Sequence, residues 1–211
     1  MNFEKNIEKI QGQTKKAQLI VVTKNQSLKN IKRIYQIGHR NFGENKVQDL
    51  LTKQQQLPHD INWHMIGHLQ SNKVKLIAPF IHMIQSVDSL KLIKTINNCG
   101  EKNQRIINCL IQIKIAEEDT KHGFSITEAT QMLRTDILSQ YNYISVKGIM
   151  GMASFTANIN QIKKEFKLMK QLFDSCRPKY KILSMGMSND YTIAYEAGSN
   201  MIRVGSAIFK Y

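Results

Sequence analysis

Cysteine and proline are scarce in this chain, and their scarcity excludes several classes of protein. The 211 residues include only three cysteines and three prolines, with eleven glycines. Cys99, Cys109 and Cys176 are odd in number and widely spaced, which fits neither a disulfide framework nor a C-x-x-C motif. We therefore predict reduced structural thiols. So little proline and glycine also argues against a disordered chain.

The chain also lacks long apolar runs and the short motifs of several enzyme classes. It has no run of about 18 apolar residues, and its first ten residues, M-N-F-E-K-N-I-E-K-I, are too charged for a secretory signal. We therefore expect a cytoplasmic protein with no membrane partner. A G-x-S-x-G elbow, a Walker loop and a G-x-G-x-x-G fingerprint are absent as well.

Acidic residues are few relative to basic ones. The sequence has 16 acidic against 30 basic residues, a formal net charge of +14. A basic surface can bind nucleic acid or anionic membranes, but the lysines here are dispersed rather than gathered into a tract. This pattern favours a solvated surface, and we expect no specific nucleic-acid partner.

Apolar runs bounded by turn residues predict eight β-strands. They lie at Leu19–Thr23, Asn41–Phe42 with its flanks, Trp63–Gly67, Ile81–Val87, Ile106–Ile115, Ile144–Met150, Ile182–Met185 and Met201–Val204. Segments with helical spacing alternate with them, at Leu28–Ile37, Lys46–Gln56, Asn72–Ile77, Leu90–Asn97, Ile126–Leu138, Ile159–Phe173 and Tyr191–Ala197. Helix starts are marked by Ser27, Asp88 and the S-I-T-E capping box at Ser125–Glu128.

The alternation of strands and helices predicts a single α/β domain over residues 1–211, folded as a parallel (β/α)₈ TIM barrel. An additional helix is expected at about residues 2–16. In such barrels the chemistry lies at the C-terminal ends of the strands, often with a phosphate held by the loops after strands seven and eight.

Lys24 ends the apolar first strand, L-I-V-V-T-K-N-Q, where a lysine needs an explanation. One interpretation is that the strand simply reaches solvent. The other is that the lysine lies at the barrel mouth, where apolar surroundings favour the neutral amine that forms a Schiff base. Position alone leaves both interpretations open.

Two strand-to-helix junctions predict an anion site. After strand seven, L-S-M-G-M-S-N-D places Ser188 and Asn189 where they can cap a helix, and after strand eight the pair Gly205 and Ser206 occupies a similar junction. Each alone is typical of an ordinary barrel turn. Together, in adjacent loops, they are consistent with a phosphate cradle.

Arg203 and a histidine pair are further candidates for function. Arg203 sits inside an apolar run, so it either pairs with a structural carboxylate such as Glu44 or Asp190, or faces a ligand in the barrel mouth. His64 and His68 are four apart, but Met65 follows the first and a glycine interrupts the segment. This departs from the metalloprotease pattern, and no metal site is expected.

Eight blocks of sequence, in order and spacing, resemble the pyridoxal phosphate homeostasis proteins, the YggS/PROSC family. The blocks are Val22–Lys24, Phe42–Asn45 followed by V-Q-D, Trp63–Lys73, Gln85–Ser89, Lys121–Phe124, Lys147–Met152, Ser184–Asp190 and Ala197–Phe209. Members of the family resemble the N-terminal barrel domain of alanine racemase, of fold-type III. They bind pyridoxal 5′-phosphate and have no established catalytic turnover.

The resemblance implies a cofactor-binding role for seven residues. Lys24 matches the lysine that forms the Schiff base, and Arg203 matches the arginine facing the pyridine nitrogen. The other matched positions in the family's pocket are Asn45, His64, Ser188, Gly205 and Ser206, of which the last three lie on phosphate loops. The chain departs from the family at Gln26, where many relatives have a second lysine, and at Lys210, where a glycine is common.

The resemblance implies a non-catalytic protein of intracellular vitamin B6 homeostasis, a monomer that holds pyridoxal 5′-phosphate and has apo pyridoxal phosphate enzymes as candidate partners. Two alternatives stay open. One is a small fold-type III enzyme such as an amino-acid racemase, which would exchange the α-hydrogen of an amino acid. The other is a basic protein associated with nucleic acid, which would show salt-sensitive binding.

Overall fold

The computed structural model describes residues 2–116, 122–176 and 179–209. Within them, eight parallel strands close into a barrel in chain order, and the last strand pairs with the first. The strands are β1 Gln18–Val22, β2 Asn41–Glu44, β3 Asn62–Met65, β4 Met83–Val87, β5 Ile107–Ile113, β6 Ile144–Gly151, β7 Ile182–Ser184 and β8 Met201–Val204. The predicted (β/α)₈ barrel is confirmed. Lys121 and Lys210 lie outside the described residues.

Helices follow each strand and cover the barrel. They are α1 Phe3–Gln13, α2 Leu28–Gln36, α3 Val47–Gln56, α4 Val74–Ile77, α5 Leu90–Lys102, α6 Ile126–Arg134, α7 Ile159–Ser175, α8 Tyr191–Glu196 and α9 Ser206–Phe209. Short 3₁₀ turns lie at Ser71–Lys73 and Asp136–Leu138. In the described part of the chain, none of the helices is long and apolar enough to cross a membrane.

Several predicted boundaries need correction. Ser27 and the Ser125–Glu128 capping box begin their helices as predicted. Asp88 does not cap a helix; the hydroxyl of Ser89 accepts the backbone N–H of Leu92 and begins α5. The sixth helix ends at Arg134 rather than Leu138, because the backbone of Thr135 is extended, with φ −95° and ψ 167°.

The side chains inside the barrel change from apolar to partly polar toward the C-terminal ends of the strands. The lower layer is apolar, and Ile20, Met83, Leu110, Met150 and Met201 pack there as a cluster separate from the main core between strands and helices. Residues two positions further along a strand lie on the same face. The next layer toward the C-terminal ends therefore contains the residues Val22, Gln85, Gln112, Met152 and Arg203. Polar groups thus enter the barrel on the side where barrel proteins carry their sites.

Candidate functional site

A cavity of about 1070 Å³ opens at the C-terminal end of the barrel. It brings together side chains from the ends of most strands, and the sequence-predicted residues on its wall are Lys24, Asn45, Ser188, Arg203, Gly205 and Ser206. His64 does not line the cavity; it is fully buried among the strands. Ligand pockets in proteins typically measure about 300–1,000 Å³, so this cavity is large enough for a cofactor.

Lys24 lies on a tight turn just after β1. The backbone N–H of Gln26 donates to the carbonyl of Thr23 at 3.0 Å. Asn25, at φ 60°, adopts the left-handed conformation that asparagine tolerates better than most residues. The strand therefore ends abruptly and leaves Lys24 exposed on the cavity wall. Lys24 thus reaches solvent, as the first interpretation has it, and also lines the cavity at the barrel mouth, as the second has it.

A buried ion pair holds this turn in place. Lys53 on α3 donates to the Oε1 atom of Glu44, and also to the carbonyl oxygen of Thr23 at 2.8 Å. The hydroxyl of Thr23 donates to the same Glu44 oxygen. Glu44 is completely buried, and its second oxygen, Oε2, has no hydrogen-bond partner among the described residues. The residue immediately before Lys24 is thus bound to α3 and β2 through one charged cluster.

Glu44, one of the two carboxylates proposed from the sequence as a partner of Arg203, forms its ion pair with Lys53 instead. The negative charge of Asp190, the other candidate, favours the charged guanidinium, but burial dominates and lowers the pKa of Arg203 to about 10. A pKa of this value still keeps the side chain protonated near neutral pH. Arg203 therefore brings a buried positive charge to the cavity wall.

A chain of hydrogen bonds runs from Arg203 to His64 through the barrel interior. The guanidinium donates through Nη1 to the hydroxyl of Ser184 at 2.6 Å and through Nη2 to the carbonyl of Gly151 at 3.0 Å. Ser184 donates to Gln85 Oε1 at 2.7 Å, and Gln85 Nε2 lies 3.1 Å from His64 Nδ1. Each group in this chain donates to the next one: Arg203 to Ser184, Ser184 to Gln85, and the Gln85 amide to His64. His64 Nδ1 therefore accepts, which places the imidazole proton on Nε2.

His64 is held in its neutral form. Burial, followed by the charges of His82 and His39, lowers its pKa to about 3. Within the part of the chain that the structure describes, its Nε2 atom has no hydrogen-bond partner. A protonated imidazole would lose the bond from Gln85 and bring a second positive charge into an interior that already contains Arg203. The hydrogen-bond chain thus orients Arg203 without adding charge.

Acid stability should report this neutral histidine. The unfolded state takes up a proton at pH 6.5 and the folded state only near pH 3, so stability falls as the pH decreases through this window. Lowering the pH from about 7.5 to about 5.5 should cost about 1.4 kcal/mol through His64. His64→Gln should remove this part of the slope of the free energy of unfolding, measured by denaturant titration at both pH values. Equal slopes would contradict the pKa assignment. His39 and His82 are present in both proteins, so their own titration enters both slopes.

The loops after β7 and β8 meet through Ser188. Its hydroxyl accepts the backbone N–H groups of Gly205 and Ala207, each at 3.2 Å. Gly186 begins the first loop at φ +95°, and a Cβ there would lie 2.7 Å from Ala194 Cβ. A Cβ on Gly205 would lie 3.0 Å from the carbonyl oxygen of Val22. The two predicted junctions therefore form one structure, in which backbone amides face an oxygen acceptor at the cavity wall.

Sequence reasoning missed Gln85, Ser184 and Lys53 as parts of this site. Gln85 and Ser184 are polar residues of largely apolar strands and are fully buried, and buried polar residues require partners. Lys53 gave no comparable signal, because it lies in a polar helix segment, T-K-Q-Q-Q. Its burial is a consequence of how α3 packs on the barrel.

The sequence itself matches a known family over its whole length. A family model described as the N-terminal domain of alanine racemase matches residues 1–211. A protein of Helicobacter pylori strain ATCC 700392 / 26695, named pyridoxal phosphate homeostasis protein, is 38% identical over 194 residues, covering 91% of this chain and 86% of the relative. The chain belongs to the pyridoxal phosphate homeostasis protein family. A family member from Schizosaccharomyces pombe is 32% identical over 197 residues, covering 90% of this chain and 82% of its own.

Several solved structures have the same barrel. PipY of Synechococcus elongatus PCC7942, solved without pyridoxal phosphate, superposes with a TM-score of 0.88 at 30% identity and covers 98% of this chain and 99% of its own. PipY with pyridoxal phosphate bound gives a TM-score of 0.87 at 28% identity. Alanine racemase of Clostridium difficile 630 shares the barrel fold, with a TM-score of 0.79 at 13% identity, and this chain covers 56% of its length.

Proposed function

We propose that this chain binds pyridoxal 5′-phosphate in the barrel-mouth cavity and serves intracellular vitamin B6 homeostasis in the cytoplasm. Lys24 holds the cofactor as a Schiff base. The observation that carries the proposal is the convergence of one exposed lysine, one buried arginine and one amide-rich loop pair on a single cavity wall. PipY, a relative with the same barrel, has been solved with pyridoxal phosphate bound.

The donor set fits the cofactor's chemistry. Lys24 supplies a primary amine for the aldehyde of the cofactor. The backbone N–H groups of Gly205 and Ala207, which donate to the Ser188 hydroxyl, are donors of the kind that bind a phosphate. Ser206 adds a hydroxyl to the cavity wall, and Asn45 lines the same cavity. His64 acts at a distance, through the hydrogen bonds that orient Arg203.

Arg203 also bears on whether the protein catalyses a reaction. Pyridoxal phosphate supplies an electron sink when its ring nitrogen is protonated. A guanidinium that stays charged at that nitrogen disfavours this protonation. This argues against decarboxylase or transaminase chemistry. The role we propose is that of a monomeric holder without turnover, which has apo pyridoxal phosphate enzymes as recipients.

The full chain tests the proposal directly. Adding pyridoxal 5′-phosphate to the purified protein should produce a saturable absorbance band at the edge of the visible, whereas free protein does not absorb there. Incubation with a panel of amino acids in deuterated water should leave their α-hydrogens in place. Exchange at a rate dependent on Lys24 would instead favour the racemase alternative, and an absent band would contradict cofactor binding.

Replacing Arg203 separates its two roles. Arg203→Leu leaves the hydroxyl of Ser184 and the carbonyl of Gly151 without their donor, which should cost about 1–3 kcal/mol. Cofactor retention should fall further, and the absorbance of the bound cofactor should become pH-dependent because the ring nitrogen can then take up a proton.

The matched control is Ser184→Ala, which keeps the charge of Arg203 and removes the two hydrogen bonds of the Ser184 hydroxyl, one with Arg203 and one with Gln85. It should weaken cofactor retention less than Arg203→Leu and leave the pH dependence of the spectrum unchanged. Melting of the cofactor-free protein measures stability. A loss well above 3 kcal/mol in Arg203→Leu, with cofactor retention unchanged, would make the arginine purely structural.

A further inference from the structure

His68, Asp88 and His122 form a cluster at the cavity rim that the cofactor site does not use. They come from the loops after β3, β4 and β5, three neighbouring strands. One ligand atom of each residue lies within 4.8 Å of those of the other two. His68 Nδ1 is 2.9 Å from Asp88 Oδ2, and the two imidazole rings stack with centroids 4.0 Å apart. His68 and His122 both line the cavity.

The backbone fixes where two of these side chains start. Asp88 directly follows the last residue of β4. The carbonyl of His122 accepts a hydrogen bond from the Gln112 side chain at 2.7 Å. Two residues further on, Phe124 pairs with the end of β5: its N–H donates to the carbonyl of Gln112 at 2.8 Å, and its carbonyl accepts the N–H of Lys114 at 2.9 Å. Backbone contacts with the barrel strands thus position Asp88 and His122.

Asp88 does not serve as the cap of α5, the helix after β4. The sequence predicts that role for it, but Ser89 caps the helix and the Asp88 carboxylate contacts His68 instead. Asp88 is largely buried, with 9% of its side chain exposed, whereas His68 is 46% exposed. A sheltered carboxylate beside two accessible imidazoles is a donor set of two nitrogens and one oxygen.

We propose that His68, Asp88 and His122 bind a divalent transition cation of the zinc class. Two imidazoles and a carboxylate are ligands that zinc accepts, and a fourth position is left for water or a ligand in the cavity. Tetrahedral zinc with Zn–N distances of about 2.0–2.1 Å requires ligand atoms about 3.3 Å apart. Separations within 4.8 Å need to shorten by at most roughly 1.5 Å, which the exposed imidazoles can do by rotating.

A chain with a net charge of +14 repels cations, so we expect little non-specific binding of metal ions. Binding by the cluster should therefore be measurable above that background. The chelator-treated full chain, titrated calorimetrically with Zn²⁺, should take up one ion saturably. His68→Gln, Asp88→Asn and His122→Gln should each weaken this uptake by about tenfold or more. His59→Gln, an exposed histidine outside the cluster, is the matched control and should bind as the parent does.

Two outcomes would overturn the proposal. One is no saturable uptake by the parent chain, and the other is uptake that His68→Gln and His122→Gln leave within a few-fold of the parent. Lys24→Ala tests whether the ion binds the cluster or bound cofactor. If Lys24→Ala lost the uptake of Zn²⁺ and His122→Gln kept it, the ion would be bound to the cofactor and not to the cluster. Thermal melting of each variant without metal checks that it is folded. Co²⁺ provides a second readout, since its visible absorbance should appear in the parent and disappear in His122→Gln.

Discussion

Lys24→Ala is expected to abolish covalent retention of pyridoxal 5′-phosphate while leaving the barrel folded. The side chain is exposed and contributes no described hydrogen bond to the turn, whose contacts are made by the backbone and by Thr23. Surface substitutions of this kind usually change stability by less than about 0.5 kcal/mol. Borohydride reduction of the parent followed by peptide mapping should place the phosphopyridoxyl group on Lys24, and the variant should carry none.

Lys46→Ala is the matched control for this experiment. Lys46 is also exposed and follows Asn45 at the start of α3, but it does not line the cavity. Its variant should retain the visible band and the label on Lys24. A label found only on another lysine in the parent would refute the assignment. A melting temperature lowered by several degrees in Lys24→Ala alone would show that the lysine is structural.

Lys53→Met is expected to be the most destabilising single substitution in the site. It leaves the fully buried carboxylate of Glu44 with no positive partner, and it also removes the donor to Thr23 O. Breaking one side of a buried ion pair typically costs about 3–5 kcal/mol. For a chain of this size that corresponds to a melting temperature lower by roughly 6–20 °C. Because the pair supports the turn before Lys24, cofactor retention should fall as well.

Two comparison variants isolate the cause of this loss. The double variant Glu44→Gln/Lys53→Met removes both charges and should recover most of the lost stability. Lys170→Met breaks an ion pair with Asp174 that is partly exposed on α7, and it should cost no more than about 1 kcal/mol. A loss in Lys53→Met as small as that in Lys170→Met would show that the buried pair contributes little.

The strand count, the closed barrel and the order of the site loops follow from local sequence patterns. Apolar runs of four to eight residues alternating with helical spacing specify a parallel α/β fold, and capping residues such as Ser27 mark helix starts through contacts within one turn. Asp88 shows the limit of this reasoning. Its carboxylate is as good a cap as the Ser89 hydroxyl by sequence, and a histidine twenty residues away decides between them.

The sequence by itself determined the barrel and pointed to the cavity residues Lys24, Ser188 and Arg203. Lys24 follows an apolar strand, Ser188 lies in a strand-to-helix junction, and Arg203 lies inside an apolar run. Only the tertiary structure decided their partners. Glu44 binds Lys53 rather than Arg203. The arginine instead reaches His64 through Ser184 and Gln85, and the Ser184–Gln85 step crosses the barrel interior between the non-adjacent strands β7 and β4. The physical reason is that a buried polar group must find a partner wherever packing brings one within about 3 Å, and sequence separation carries no information about that distance.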